Sequence, residues 1–429
     1  MLDRKFILEN VDVVKLNCER RFVHADIDRF VELELSRKAA QQELERLQTE
    51  ANSVSKQIGK ASNDDEREAK KESGRKLREA ADSIRVKLDA IESELEAVQR
   101  TIPNMSHPSA PLGTDDKFNL QIAVGKTAIP SFDFEVLDHV ELGERLDLID
   151  FDAGGRVAGS GFYFLKNDAV LLELALQHYA VDMLIEAGFI PMTTPDLARN
   201  SVLQGTGYIP RGPETQIYSI DNTDLSLVAT AEIPLGGLLA NQTVDAEVLP
   251  LRYCGISHCF RTEAGAAGRA SRGLYRVHQF TKVEMFAFTL PEQSGAIHEE
   301  MLQIECKIFD GLGIPYQVVD TATGDLGGPA YRKFDLEAWM PGRGKNGEYG
   351  EVTSTSNCTD YQARRLNARY RIKGEKGTNY LHTLNGTAIA ISRALIAIME
   401  IYQNADNSIT IPKALQKYIG KNTIKRKDQ

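Results

Sequence analysis

The sequence predicts an α+β protein in which a long helical hairpin precedes a larger body of helices and strands. Two series of apolar residues at three- and four-residue spacing run through residues 29–102, which is the pattern of two paired helices. Residues 260–284 have strand-like ends around a glycine-rich centre, which predicts a β-hairpin with a long tip. At 429 residues the chain is too long for one ordinary core, so two or more domains are expected.

Composition and charge narrow the class of protein. No stretch approaches the ~20 consecutive apolar residues of a membrane span, and the N-terminus lacks the apolar core of a secretory signal, so we expect a cytoplasmic protein without membrane contact. The five cysteines are odd in number and scattered, which argues against a disulfide framework. Cys254, His258 and Cys259 match no standard zinc spacing, and we interpret them as packed strand residues.

The helical hairpin follows a short helix that ends before about residue 28. The first apolar series consists of Phe30, Leu33, Ala40, Leu44, Leu47, Ala51, Val54 and Ile58, and the second of Leu77, Ala81, Ile84, Leu88, Ile91, Leu95, Val98 and Ile102. Only Arg37 interrupts the pattern. Ser62 to Glu66 supply a turn and an acidic helix start, and Pro103 stops the second helix. Each helix spans roughly 45–50 Å, so the pair is expected to project as an antiparallel coiled-coil arm.

The distal part of the arm is basic, although the net charge of the chain is −10. Between residues 67 and 87, lysines and arginines outnumber aspartates and glutamates. A solvated coiled-coil surface with exposed ion pairs explains this composition. A surface that binds a phosphate backbone explains it as well.

The body begins after a segment rich in proline, glycine and serine. We predict an N-terminal domain at residues 1–103, a linker at 104–117 and a second domain at 118–429. An amphipathic helix is expected at residues 168–187, ended by Gly188, and a strand at 189–194 leads into Pro195.

The predicted β-hairpin carries side chains suited to a nucleotide beside a small amino acid. Arg261 can bind a phosphate through two hydrogen bonds, and Glu263 can accept one from an exocyclic amine. Phe280 offers a flat face to a purine, and Glu284 adds a second carboxylate. Taken singly, each of these residues is equally consistent with an exposed ion pair or a surface position.

Two later segments add oxygen ligands and a cation. Glu351 and Ser354 lie three residues apart, and a hard cation that bridges phosphates prefers such oxygen donors. The segment His382 to Ala388 runs into a helix that carries Arg393, which can cover an adenine or meet a phosphate.

These segments together resemble the class II aminoacyl-tRNA synthetases. F-R-T-E, a variable loop and R-V-H-Q-F-T-K-V-E are similar to motif 2, and G-L-Y-R-V-H-Q-F is similar to its seryl form. Residues 168–195 resemble motif 1, and residues 382–402 resemble motif 3. The resemblance implies a catalytic domain built on a mixed, mainly antiparallel β-sheet flanked by helices.

The resemblance also implies the site residues. The expected catalytic residues are Arg261, Glu263 and Arg393. The L-serine site would consist of Thr230, Ala231, Glu232, Arg261, Glu284, Asn385 and Thr387. The ATP site would consist of Arg261, Thr262, Glu263, Arg276, Val277, Phe280, Glu351, Val352, Thr353, Ser354 and Arg393, with Mg²⁺ on Glu351 and Ser354.

The implied reaction is the activation of serine by ATP, followed by transfer to tRNA(Ser), and to tRNA(Sec) where it exists. The arm would bind the tRNA, and motif 1 would form the interface of a homodimer. No side-chain nucleophile or general base is needed, because positioning and charge neutralisation carry most of the first step.

Several residues depart from the family pattern. Ala270 and Ser271 replace a usual Asp-Thr pair, Ala388 and Ser392 occupy positions that are often glycine, and Thr355 stands where many relatives have cysteine. Two other functions stay open: an inactive synthetase paralogue acting as an RNA-binding or dimerisation module, and a ligase that loads an amino acid onto a carrier protein. The first should lack key charged residues, and the second should have a shortened arm.

Overall fold

The computed structural model of the protein describes residues 1–208, 216–264 and 273–426. The chain divides into two compact units, Met1–Pro103 and Asn104–Gln429. Across the described ranges, no helix is both long and apolar enough to cross a lipid bilayer.

The first unit is helical throughout. Its helices are α1 (Arg4–Glu9), α2 (Val11–Arg20), α3 (Ile27–Ile58) and α4 (Asp64–Thr101). The expectation of one short helix before the arm is therefore wrong, since two helices precede α3. The break lies at Asn10, whose side-chain amide donates to the carbonyl of Phe6 at 2.9 Å and closes the last turn of α1.

Helices α3 and α4 form the predicted antiparallel hairpin. Their contacts run in opposite directions along the chain: Arg29 pairs with Glu94, whereas Gly74 faces Val54. The side chain of Asn63 caps α4 by accepting from the backbone N–H of Glu66 at 2.8 Å. The apolar seam includes the buried residues Leu44, Leu47 and Ala81.

Arg37, which interrupts the apolar series, has a partner inside the hairpin. Its guanidinium donates two hydrogen bonds of 2.8 Å to Glu34, a carboxylate only 2% exposed. Burial alone would raise the pKa of Glu34, but Arg37, with Arg4 and Lys38, lowers it below its usual value. The polar interruption of the heptads is thus a buried and compensated ion pair.

The basic segment of α4 is only partly neutralised. Lys70, Lys71 and Arg75 bind acids one turn earlier on the same helix, at 2.6–2.8 Å. Such exposed pairs contribute little to stability. Arg67 and Lys87 form no ion pair with the described residues, so this segment of α4 keeps uncompensated positive charge.

The second unit is organised around an eight-stranded sheet. Its order is β1 (Leu120–Val124), β10 (Tyr316–Asp320), β11 (Arg332–Met340), β12 (Glu348–Asn357), β15 (His382–Ala390), β9 (Gln279–Thr289), β8 (Leu251–Phe260) and β4 (Ile190–Thr193). Among the described strand pairs of this sheet, only that of β4 and β8 is parallel, which confirms the mixed, mainly antiparallel sheet.

Short strands and helices complete this unit. The remaining strands are β2 (Ile149–Asp150), β3 (Phe164–Leu165), β5 (Leu197–Arg199), β6 (Leu225–Leu227), β7 (Thr243–Asp245), β13 (Arg369–Arg371), β14 (Asn379–Tyr380), β16 (Ile409–Thr410) and β17 (Thr423–Ile424). The helices are α5 (His139–Arg145), α6 (Phe151–Ala158), α7 (Asp168–Glu186), α8 (Asn200–Thr206), α9 (Glu232–Gly237), α10 (Ser294–Leu312), α11 (Tyr361–Leu366), α12 (Ile391–Ile401) and α13 (Lys413–Ile419). The main core packs α7, α10 and α12 against the sheet.

Helix α7 is apolar on two faces and is not simply amphipathic as expected. Leu172 and Leu176 are buried in the core, but Leu171 and Leu174 are 42% and 56% exposed. Adjacent to this exposed stripe in sequence, the edge strand β4 exposes Ile190. A second apolar face is typical of a helix that binds a further surface.

The segment predicted to be a linker is hydrogen-bonded along the second unit. The Asn104 side-chain amide donates to the carbonyls of Pro329 and Cys358 at 2.8 and 2.9 Å. Further along, the backbone N–H of His107 donates to Tyr331. Proline-rich composition here therefore marks an extended, packed segment.

The predicted hairpin at residues 260–284 is formed by β8 and β9. Strand β9 begins at Gln279, so the strand-like residues Tyr275 and Val277 lie before it. The backbone just before them contacts α5, where the N–H of Leu274 donates to Nε2 of His139 at 3.1 Å. The centre of the tip, including Ala270 and Ser271, lies outside the described residues.

Candidate active site

A cavity of about 310 Å³ lies on one face of the sheet. The sequence-predicted residues that line it are Glu232, Arg261, Phe280, Glu284, Glu351, Val352, Thr353, Ser354, Asn385, Thr387 and Arg393. They come from β9, β12, β15, α9, α12 and the end of β8. Most of the predicted residues therefore meet in one place although they span more than 160 positions of the chain.

Strand β9 supplies the floor of the cavity by alternation. Phe280 and Glu284 face the cavity, whereas Val283 and Met285 point into the main core. Successive side chains of a strand point to opposite faces, so residues two apart share a face. Lys282, which the sequence analysis did not select, is therefore on the cavity side as well.

Glu284 is the centre of a buried polar cluster. It is the cross-strand partner of Thr387, whose hydroxyl donates to Glu284 Oε2 at 3.4 Å. The Lys282 ammonium forms an ion pair with the same oxygen and donates to the Thr387 hydroxyl at 3.2 Å. Both charged side chains are almost fully buried, so each depends on the other for its compensation.

Glu232 forms a second acidic position at the start of α9. Its carboxylate accepts from the amides of Gln362 and Asn385 at 2.7 and 3.0 Å and from the Tyr208 hydroxyl at 3.2 Å. Burial, and then the negative charge of Glu284, raise the pKa of Glu232 to about 7. This carboxyl is consequently poised to lose its proton when a positive group approaches.

Arg261 lies against the aromatic ring of Phe280. The guanidinium carbon is 5.2 Å from the ring centroid, which is a cation–π contact. The backbone N–H of Arg261 donates to the carbonyl of His278 at 2.9 Å, which continues the pairing of β8 with β9 beyond their last residues. The hairpin thus holds the Arg261 guanidinium at the cavity.

Arg393 and Glu351 form the charged pair at another wall of the cavity. The guanidinium donates to the backbone carbonyl of Glu351 at 2.8 Å and lies 3.4 Å from its carboxylate. Burial opposes ionisation of Glu351, but Arg393, Lys333 and Arg261 outweigh it and lower the pKa. Glu351 is therefore a carboxylate at neutral pH. Arg393 also stacks on Tyr275, with its guanidinium carbon 4.7 Å from the ring.

Glu351 and Ser354 fit the requirements of a Mg²⁺ ion bound together with phosphates. Both line the cavity, and the Glu351 side chain is 43% exposed. Among the residues described, no group of three or more His, Cys, Asp or Glu side chains could hold a metal ion by itself. Mg²⁺ usually binds one or two carboxylates and takes its other ligands from phosphates and water.

The remaining predicted residues surround the cavity without lining it. Thr230 and Ala231 are buried, and the Thr230 hydroxyl accepts from the backbone N–H of Glu232 at 3.2 Å. Glu263 forms an ion pair of 3.3 Å with Arg276. The other two are Thr262, whose N–H donates to Gln216, and Val277, which is buried.

The contributors to the site that the sequence analysis missed include Lys282, Tyr208, Gln362 and Tyr275. Lys282 could have been found, because it alternates with Phe280 and Glu284 on one strand. Tyr208 and Gln362 contact Glu232 from segments 24 and 130 residues away, and no local pattern reveals them.

Comparison with known proteins identifies similar chains. Residues 1–106 match the seryl-tRNA synthetase N-terminal domain, and residues 217–402 match the tRNA synthetase class II core domain (G, H, P, S and T). The chain is 61% identical to a serine–tRNA ligase of Rhodopirellula baltica over 99% of this chain and 100% of that protein.

Solved structures give the same relationship. The seryl-tRNA synthetase of Pyrococcus horikoshii complexed with ATP is 38% identical, with a TM-score of 0.91 over 100% of both chains. The cytoplasmic serine–tRNA ligase of Naegleria fowleri in complex with AMP is 32% identical, with a TM-score of 0.86 over 100% of this chain and 99% of that one.

The raised pKa of Glu232 is directly measurable. In the ligand-free protein labelled with ¹³C-carboxyl glutamate, the resonance that is absent from a Glu232→Gln variant should titrate with a midpoint of about 7. Burial without a contacting cation is the reason. A midpoint near the ordinary value of 4.5 would contradict this description of the site.

Proposed function

Because the chain belongs to the seryl-tRNA synthetase family of class II aminoacyl-tRNA synthetases, we propose that its cavity binds L-serine and ATP and joins serine to the AMP part of ATP. The enzyme is a serine–tRNA ligase: it activates serine as seryl-adenylate and transfers the seryl group to tRNA(Ser). An inactive paralogue should lack charged residues such as Arg261, Glu263, Glu351 or Arg393, and all four are present. The arm is also full length, unlike that expected of a carrier-protein ligase. The observation that carries the proposal is the cavity in which these charges meet Glu232 and Glu284.

Arg261 is proposed to hold the reacting groups together. A serine carboxylate oxygen attacks the α-phosphorus, and the bond to the bridging oxygen breaks, so that its electron pair leaves with pyrophosphate. Arg261 can contact the carboxylate and the α-phosphate at once through its planar fork. Neutralising the charge that builds up in this step is the main catalytic effect available to the site.

The adenine is proposed to bind between Phe280 and Arg393, with Glu263 accepting from its exocyclic amine. In the structure the guanidinium of Arg261 covers Phe280, and Arg393 rests on Tyr275. Purine binding would therefore accompany a turn of Arg261 from the ring towards the phosphate. A cation–π contact of this size costs only about 0.5–2 kcal/mol to exchange for a stacked base. An Arg261→Lys variant tests the proposed movement of Arg261. The rate of serine activation should fall by a larger factor than the affinity for ATP, which calorimetry measures.

Glu351 and Ser354 are proposed to hold Mg²⁺ through their side-chain oxygens. When bound, the ion would neutralise phosphate charge and orient the pyrophosphate leaving group. The lowered pKa of Glu351 supports this role, because a metal ligand must be ionised. A Glu351→Gln variant should require several-fold more Mg²⁺ for half-maximal activity, and an unchanged requirement would contradict the assignment.

Serine is proposed to bind with each polar group facing a complementary one. Its ammonium would lie at Glu232 and Thr230, its carboxylate at Arg261, and its hydroxyl at Glu284 and Thr387. Asn385 and Ala231 shape the same end of the pocket. A site built around a hydroxyl can reject an analogue that lacks it by about 10⁴-fold, which disfavours alanine.

A homodimer is proposed from the second apolar face of α7. The exposed side chains Val170, Leu171, Leu174 and Ile185 form one stripe on this helix, and β4 exposes Ile190 at an open sheet edge. Unpaired edges and apolar stripes are commonly covered by a second chain. A two-fold interface would cover the same surface on both copies.

The N-terminal unit is proposed to bind tRNA through the basic segment of α4, residues 67–87. Its domain would comprise residues 1–103, and the catalytic domain residues 118–429. Arg67 and Lys87, which have no ion pair among the described residues, are suited to a phosphate backbone.

Two finer properties are also proposed. The enzyme charges tRNA(Sec) where that tRNA exists, which charging of purified tRNA(Sec) can test. It acts in the cytoplasm, as the name of the Naegleria fowleri relative states of that protein, and cell fractionation tests this.

The activation step is tested by ATP–pyrophosphate exchange with each amino acid in turn. Serine should support exchange at least ~10³-fold better than alanine, because alanine leaves Glu284 and Thr387 without their partner. Exchange with no amino acid would favour an inactive paralogue. Exchange with a different amino acid would contradict the proposed substrate.

The division of labour between the two units is tested by deleting residues 33–102. Serine-dependent exchange should stay within about twofold of the full chain, while transfer to tRNA should fall by at least ~10³-fold as the phosphate contacts are lost. Replacing Arg67 and Lys87 by glutamine should lower transfer by a smaller factor and make it less dependent on salt. Equal loss of both steps after the deletion would refute the assignment.

The homodimer is tested by sedimentation equilibrium of a Leu174→Glu variant. A charge in an apolar interface is costly, so this variant should sediment as a monomer at concentrations where the unmodified protein is dimeric. Val86→Glu, at an exposed apolar position on α4 outside the proposed interface, is the control. A monomeric unmodified protein would contradict the proposal.

A further inference from the structure

Lys282 is a buried cation at the centre of the cavity floor that has no role in the reaction described above. Its side chain is 7% exposed, and it lies between Phe280 and Glu284 on the same face of β9. A lysine is rarely buried to this extent unless its charge is paired. The pairing found here is with the carboxylate that is proposed to recognise the serine hydroxyl.

The contacts of this lysine leave one carboxylate oxygen for a ligand. The Lys282 ammonium and the Thr387 hydroxyl both approach Oε2 of Glu284. The ammonium also donates to the Thr387 hydroxyl at 3.2 Å, which turns the hydroxyl hydrogen towards Glu284. Among the described residues, Lys282 and Thr387 are the side chains that contact the Glu284 carboxylate, and both contact Oε2. Its Oε1 is left to accept a hydrogen bond.

Two neighbouring carboxyls show what burial does without a contacting cation. Neither Glu232 nor Glu305 has an ion pair with a described residue. Burial is the largest cause of the raised pKa of both: that of Glu232 is about 7, and that of Glu305 is well above its usual value. Glu284 is 2% exposed, and it differs from them by its contact with Lys282.

We propose that Lys282 is a positioning residue that holds Glu284 by Oε2, so that Oε1 is turned to accept the hydroxyl hydrogen of serine. The inference deepens the proposed function, on which it rests. Hydrogen bonds to a charged acceptor are roughly twice as strong as neutral ones, and a buried carboxylate left unpaired is more costly than a neutral acid. Lys282 therefore sets how strongly the site prefers serine to alanine.

Several other ionisable groups lie around the pair of Lys282 and Glu284. They are Glu232 on α9, Tyr208 beside it, Cys259 on β8, Arg261 at the end of β8, and Glu305 on α10. Cys259 and Tyr208 are uncharged at neutral pH because burial raises the pKa of each. The loss of Lys282 would thus leave Arg261, which is proposed to bind the substrate carboxylate and α-phosphate, as the remaining cation of this group.

The test is a Lys282→Met variant, assayed by ATP–pyrophosphate exchange with serine and with alanine at pH 7. The KM for serine should rise about tenfold or more while the KM for ATP stays within about twofold, and the preference for serine over alanine should fall by at least ~10-fold. Lys282→Arg, which keeps the charge, should retain most of the preference.

A matched control is Lys421→Met. This lysine lies outside the cavity, and its ammonium is 2.7 Å from the carboxylate of the buried Asp168. It should leave both KM values and the serine preference unchanged. The inference is overturned if Lys282→Met keeps the serine preference, or if serine and ATP lose affinity equally.

A double variant covers the case in which Lys282→Met does not fold. Lys282→Met with Glu284→Gln has no buried charge at this position, and it should show the same low preference for serine over alanine. A double variant that keeps the preference also overturns the inference. Absence of serine-dependent exchange in the unmodified enzyme would instead refute the proposed function itself, so the two failures are distinguishable.

Discussion

The alternation of β9 is the constraint on which the site depends. One face of this strand packs into the core through Val283 and Met285, and the other presents Phe280, Lys282 and Glu284 to the cavity. A shift of one residue would exchange the two faces and bury the charged side chains in the core. The neighbouring strands are fixed by the same register, which sets Glu284 opposite Thr387 and brings Arg261 beyond the end of β8 onto Phe280.

Burial and the neighbouring charges together give the carboxyl groups of this cavity different pKa values. Glu351 has a cation beside it and a lowered pKa, whereas Glu232 has amide and hydroxyl donors and a pKa of about 7. Glu305 lies deeper, accepts from the Thr353 hydroxyl at 3.0 Å and has a strongly raised pKa. The cavity therefore offers a carboxylate to a metal ion and a titratable carboxyl to an ammonium group. This graded arrangement suits a zwitterionic amino acid beside a phosphate.

Much of the site was predictable because its residues sit in compact motifs with a chemical rationale. Arg261, Glu284, Glu351 and Arg393 were found in this way, and the cavity brings them together. Long-range packing was not predictable. The apolar residues of α7 could not be divided into a core face and a second exposed face without the sheet against which it packs.

Gly386 and Lys282 illustrate the same limit. Gly386 allows a close approach, but the sequence does not show that Thr355 is the neighbour, with its Oγ1 2.9 Å from where a Cβ would lie. Strand alternation places Lys282 on the cavity side, but lysine is normally a surface residue, and neither its burial nor its hydrogen bond to Thr387 is visible in the sequence. In both cases the missing information is a contact between segments about 30 to 105 residues apart.

The role proposed for Arg261 is tested most directly by the rate of seryl-adenylate formation in a single turnover of an Arg261→Ala variant. The rate should fall by about 10³-fold or more, because no other described guanidinium lies against Phe280, where Arg261 is proposed to neutralise the α-phosphate. The thermal midpoint should be unchanged, and Arg369→Ala, which removes a guanidinium stacked on Tyr380 outside the cavity, should react at the normal rate. A rate within tenfold of the unmodified enzyme would contradict the account.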